Sequence, residues 1–123
     1  MSIVVDCREP RLLAEFWARV LAYEISERNP GEVMISDPSG TGGVLYFMEV
    51  PEAKSGKNRL HPDLVTDGPL EAEVARLVEA GATVVAHRQD PGDYENPDTW
   101  TVLRDPEGNE FCVARASTIP GWQ

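Results

Sequence analysis

Asp105-Pro106-Glu107-Gly108-Asn109-Glu110-Phe111-Cys112-Val113 is a tight turn running into an apolar strand. Each turn residue has its own reason to be there. The Asp side chain accepts from backbone N–H groups just ahead of it, proline presets φ, and glycine takes the left-handed conformation. The same turn stands earlier in the chain at Asp37-Pro38-Ser39-Gly40. After Gly42 and Gly43 it is followed by the apolar stretch Val44 to Val50. One such turn is common. Two of them, each preceded by the same series of elements, indicate an internal duplication.

Working back from each turn gives those elements. In the first half Ser2 to Cys7 reads as a strand. Pro10 opens a helix at a place where its missing N–H costs little. Leu13, Phe16, Trp17, Val20 and Leu21 recur at helical spacing and form one apolar stripe. Tyr23 to Glu27, Glu32 to Ser36 and Val44 to Val50 are strands, and Val33 and Ile35 share a face. In the second half Leu60 to Thr66 is a strand and Gly68-Pro69 begins a helix. Leu70, Val74, Leu77 and Val78 form its stripe, and Gly81 ends it. Thr83 to His87, Thr99 to Arg104 and Asn109 to Ala114 are strands. Ala18-Arg19-Val20 and Ala75-Arg76-Leu77 are matching helix segments, and the extra length of the second half falls in the polar loop 88–98.

The expected fold is α+β. Two tandem βαβββ modules span 1–51 and 60–116 of a single domain, with 52–59 as linker. One helix covers one face of a four-stranded sheet and leaves the other bare. Two such units can bury their bare faces against each other as an eight-stranded cup around a small-molecule cavity.

The totals narrow the function classes. The chain has 123 residues, the size of one domain. Its net charge of −10 at pH 7 disfavours phosphate backbones and anionic lipid as partners. The N-terminus lacks a basic n-region and a long apolar segment, so a cytoplasmic protein is expected. Cys7 and Cys112 stand alone, outside any CxxC pair, and read as reduced thiols. No phosphate loop, nucleophile elbow or dinucleotide fingerprint is present.

Several stretches carry a resemblance to a known family. They are Asp6-Cys7-Arg8-Glu9-Pro10 with Leu13-Ala14-Glu15-Phe16-Trp17, Phe47-Met48-Glu49-Val50-Pro51-Glu52, Lys57-Asn58-Arg59-Leu60-His61-Pro62-Asp63-Leu64, and the closing stretch Asp105 to Val113. Together they resemble the vicinal oxygen chelate superfamily, in its glyoxalase-like, bleomycin-resistance-like single-domain form. The resemblance spans nearly the whole chain and specifies a fold more than a reaction. It implies a glyoxalase/bleomycin-resistance-type cup and a homodimer. Enzymes of the family hold one divalent metal with four side chains, from the first and last strand of each half. Transferred to this chain, those positions fall near Ser2 and on Glu49, His61 and Cys112. Ser2 and Cys112 are not the usual ligands, so Glu49 and His61 make an incomplete metal site. Glu110 precedes Cys112 by two residues on the same face.

Two readings of function follow. One is a small-molecule binding protein without the full metal site, its ligand touching Phe47, Glu49, His61, Asp63, Trp100, Glu110 and Cys112. The other is a divalent-metal-dependent lyase or isomerase with Glu49 and His61 as catalytic residues. Each residue also has a plainer explanation. A histidine at a strand start can simply pack, Glu49 can be a solvated strand end, and Cys112 can be a small buried hydrophobe. Glu49 alternates with Leu45 and Phe47, and in the cup that face is taken as the cavity. Lys54, Lys57 and Arg59 form a small basic patch near the rim, and the run 90–98 has the length and polarity of a lid or of a plain surface loop.

Overall fold

A computed structural model of the chain describes residues 1–89 and 99–115. The element order is β1 (Ser2–Cys7), α1 (Pro10–Leu21), β2 (Glu24–Asn29), β3 (Glu32–Ser36), β4 (Val44–Glu49), β5 (Asp63–Thr66), α2 (Leu70–Ala80), β6 (Thr83–Gln89), β7 (Thr99–Arg104) and β8 (Glu110–Arg115). The expected βαβββ order therefore occurs twice. The run 90–98 and the tail 117–123 lie outside the described residues.

The chain divides into two units, Met1–Ser55 and Gly56–Gln123. Each holds one four-stranded sheet, with orders β1-β4-β3-β2 and β5-β8-β7-β6. The first and last strands of each unit run parallel, and the other neighbours run antiparallel. The parallel pair needs a crossover, and the helix after the first strand supplies it.

In the first unit α1 packs mainly on β3 and β4. Pro10 sits in its first turn, and Ala22 closes it in the left-handed conformation with φ 57°. Leu13, Ala14, Phe16, Trp17, Ala18 and Val20 are buried, and they meet Val33, Ile35 and Phe47 on the sheet. Phe16 and Trp17 stack edge to face with centroids 5.2 Å apart. Burying either ring stabilises the unit by roughly 3 kcal/mol.

In the second unit α2 is anchored by less. It ends at Gly81, which adopts φ 127°, and only Leu77 of the helix is buried. Val78, expected in its stripe, is 45% exposed. The sheet face it covers holds Thr101, Leu103, Phe111 and Val113, all buried. The turn before β8 is tightly held. Asp105 Oδ1 accepts from the N–H of Glu107 and Asn109 at 2.9 and 3.0 Å, and Oδ2 accepts from Asn109 Nδ2 at 3.0 Å.

One strand starts later than its sequence suggests. The strand expected from Leu60 begins at Asp63. Pro62 has no N–H to give a ladder. Its carbonyl is used instead, accepting from Cys112 N at 2.9 Å. Among the described residues no helix is long and apolar enough to cross a membrane.

Candidate functional site

Alternation along β7 and β8 sorts the second unit's sheet into two faces. Thr101, Leu103, Phe111 and Val113 point toward α2. Trp100, Val102, Glu110, Cys112 and Ala114 therefore lie on the opposite face, half-buried. Asp63 is the register partner of Cys112 across the parallel pair and joins them there. His61 precedes Asp63 by two residues. Of the residues expected to contact a ligand, His61, Asp63, Trp100, Glu110 and Cys112 are thus gathered in one unit.

Three of them form a tight group. The ligand-capable atoms of His61, Asp63 and Cys112 all lie within 4.8 Å of one another. His61 Nε2 is 3.3 Å from Asp63 Oδ1, with the side chains 43% and 67% exposed. The backbone beneath is fastened at two points. Cys112 N donates to Pro62 O at 2.9 Å, between the two donors of the incoming segment. Glu110 Oε2 accepts from Asn58 N at 3.0 Å, which ties that segment to β8 three residues before His61. Glu110 thereby helps to hold the chain there.

The Cys112 thiol is pushed above its ordinary value. Burial is the largest cause, and the Asp63 charge and a hydrogen bond to Asp63 add to it, while Lys57 pulls the other way. With its pKa raised, Cys112 is in this setting a thiol more than a thiolate, and a poor nucleophile by itself.

The first unit places its expected residues differently. Phe47 is fully buried and lies opposite the buried Val33, on the face that α1 covers. Glu49 and Leu45 share that face by alternation. The expectation that this face is the bare one does not hold. Both faces of Val-Leu-Tyr-Phe-Met-Glu are largely apolar, so alternation alone could not say which one the helix takes. Glu49 ends β4, exposed, with its N–H donating to Gly31 O at 2.9 Å. It borders a surface cleft shared with Arg8, Arg11, Glu27, Gly31 and Glu32.

The registers show which residues correspond. Ile35 pairs with Leu45, and Leu103 pairs with Phe111; each first member stands two residues before the turn's Asp. The next residues on are Tyr46 and Cys112. Their parallel partners are Val4 and Asp63, and two residues earlier stand Ser2 and His61. The first-unit counterpart of Cys112 is therefore Tyr46, three residues before Glu49. The sequence carried the signal for Asp63 as a third donor, because His61 and Asp63 share alternation parity, but its pairing with Cys112 needed the register. His87 lies on β6, where Nδ1 and Thr101 Oγ1 are 2.9 Å apart.

A family model described as Glyoxalase-like domain matches residues 2–114. The chain belongs to this family. Among solved structures it is similar to a glyoxalase/bleomycin resistance protein/dioxygenase family enzyme from Burkholderia phytofirmans. The two share 20% identity at TM-score 0.72, over 93% of this chain and 95% of that one. A glyoxalase-related enzyme from Fulvimarina pelagi shares 18% identity at TM-score 0.67, over 93% and 85%. A mutant of the fosfomycin resistance protein FosX from Listeria monocytogenes shares 11% identity at TM-score 0.71, over 92% and 86%. That protein was solved with Mn(II) and 1S,2S-dihydroxypropylphosphonic acid. These likenesses establish the fold. No curated protein matches the chain.

For this glyoxalase-like domain the metal question comes down to donors. Ser2 and Tyr46 stand in the first unit where His61 and Cys112 stand in the second. A four-donor set drawn from both halves does not fit these residues. One nitrogen, one carboxylate and one sulfur within 4.8 Å do fit a single divalent ion.

Proposed function

We propose that this glyoxalase-like domain binds a small organic molecule against the face of its second sheet opposite α2. Asp63, His61 and Cys112 supply the polar contacts and Trp100 the flat apolar wall, the usual composition of a small-molecule site. The observation that carries this reading is the convergence of three polar groups within 4.8 Å on that face.

Thermal shift and ligand-observed NMR on chelator-treated protein, with small aromatic and anionic compounds, test it. Binding that weakens at least tenfold in both His61→Ala and Trp100→Ala supports the reading. Binding indifferent to both substitutions rejects it.

A lyase or isomerase is the second reading, and the same cluster favours it. His61, Asp63 and Cys112 would hold a divalent ion, which would supply a Lewis acid for a substrate oxygen. In that reading turnover depends on His61 and survives Glu49→Gln, because Glu49 lies on the helix side of its own sheet. A homodimer belongs to the proposal as well, since β2 and β6 are edge strands with backbone groups to cover. Light scattering that gives a monomer at every concentration removes it.

A further inference from the structure

We infer that the ligand is a flat one- or two-ring compound carrying a hydrogen-bond donor, laid along β8 in a trough floored by Ala114 and Cys112, with its donor at Asp63. The inference rests on the binding reading above. It adds the chemical class of the ligand and Ala114 as the residue that sets the shape of the site.

Register is the first argument. On the face opposite α2, Asp63, Cys112, Val102 and Ala86 form one row across β5, β8, β7 and β6. Two residues along each strand, Val65, Ala114, Trp100 and Arg88 form the next row. In both rows β8 contributes a small side chain with a larger one on either side. Cys112 stands between Asp63 and Val102, and Ala114 between Val65 and Trp100. Val65 and Trp100 are two strands apart, roughly 10 Å, with one methyl group between them. A ring stacked on an indole has its centre about 4.5–7 Å away, which is the middle of that gap. Val65, Ala114 and Trp100 are half-buried, so each keeps surface for a ring to cover.

Length is the second. Asp63 and Trp100 are two strands and two residues apart, a diagonal of roughly 12 Å between backbones. A compound smaller than one ring cannot rest on the indole and reach toward the carboxylate at once.

Charge is the third. The Asp63 side chain is 67% exposed, and its ion pair is with His61 Nε2 at 3.3 Å. Among the described residues no lysine or arginine, Lys57 included, is paired with it. A carboxylate has about four lone-pair positions, so one pairing leaves acceptor capacity for a ligand N–H or O–H. Glu110, on the same face, is a second carboxylate, and the chain carries a net charge of −10. A ligand carboxylate at this end would meet like charge, whereas a donor meets its acceptor.

Three compounds of similar size separate these requirements, on the full chain treated with chelator. 2-Aminoquinoline is flat and carries donors. Quinoline-2-carboxylate is flat and anionic. Decahydroquinoline carries a donor on a puckered skeleton. By ligand-observed NMR, 2-aminoquinoline is expected to bind at least tenfold more tightly than either of the others. Asp63→Asn should abolish its preference over the carboxylate. Ala114→Leu fills the trough without removing a polar group and should weaken 2-aminoquinoline at least tenfold, with Ala114→Val between it and wild type. Circular dichroism identifies a variant that fails to fold, and the milder Ala114→Val then carries the test. Equal affinity for the three compounds, a preference for either of the other two, binding of none, or wild-type affinity in the folded Ala114 variants overturns the inference. The reading beneath it fails separately. Hits from the wider screen that depend on His61 and Trp100, with 2-aminoquinoline not among them, remove the ligand class alone. Binding of 2-aminoquinoline that ignores both His61→Ala and Trp100→Ala removes both.

Discussion

The two units share a topology and the register of the pairs β1·β4 and β3·β4 with β5·β8 and β7·β8, but place different chemistry on corresponding positions. Where the second has His61, Asp63 and Cys112, the first has Ser2, Val4 and Tyr46. Their cores differ in the opposite sense. Helix α1 buries six residues, two of them large aromatics, whereas α2 buries only Leu77. The unit with the deeper helix packing carries no cluster of metal-capable side chains among its described residues, and the unit with the shallower packing carries one. A duplicated module can thus keep its backbone while one copy specialises in packing and the other in polar side chains. The polar cluster stays clear of the buried layer because strand alternation sends it to the face away from the helix.

The largest effects that test this comparison lie in the cores. Phe47→Ala and Phe111→Ala should each cost about 3–5 kcal/mol, since both rings are fully buried. Denaturant unfolding measures this. A Phe47→Ala variant of near-wild-type stability would break the assignment of Phe47 to the helix side.

The two turns sharpen the comparison next. Asp105 is 4% exposed and its carboxylate accepts three hydrogen bonds. Asp105→Ala should cost about 1–3 kcal/mol, because three part-buried donors lose their acceptor. The Asp37 turn is exposed, with Ser39 N and Gly42 N donating to the carboxylate at 2.9 and 2.8 Å. Asp37→Ala should cost less in the same unfolding assay, and equal costs would erase the difference between the turns.

The asymmetry of the donors comes third. His61→Ala should weaken organic-ligand binding at least tenfold, or about 1.4 kcal/mol, and Glu49→Gln should leave it unchanged. Equal losses by ligand-observed NMR would restore Glu49 to the site and abolish the division of labour.

The smallest effect is a pH dependence. Backbone hydrogen bonding from Ser39, the largest cause, holds the Asp37 carboxyl below its usual range. A depressed carboxyl contributes stability above the unfolded value, near about 3.9, and loses it as pH falls through the folded value. The melting-temperature gap between wild type and Asp37→Asn should therefore be widest at neutral pH and shrink on acidification below that range. A gap independent of pH would show that the charge is not what matters at this turn.

Much of the molecule was legible in the residues themselves. The paired DPxG turns, the helical stripes and the glycine stop at Gly81 all act through bonds between near neighbours in the chain. Element order, both helices and the bounds of β3 and β7 follow from those local rules. Alternation also placed Glu110 and Cys112 together, and the resemblance marked His61. The chain alone did not say which face of Val44–Glu49 meets α1, because Leu45, Phe47, Tyr46 and Met48 make both faces apolar. Helix packing decided that, and it set Glu49 on the helix side of its own sheet. Nor did the chain alone join Asp63 to Cys112. They are far apart in sequence, and only the parallel register of β5 on β8, with Pro62 offering its carbonyl to Cys112, brings carboxylate, imidazole and thiol within reach of one another.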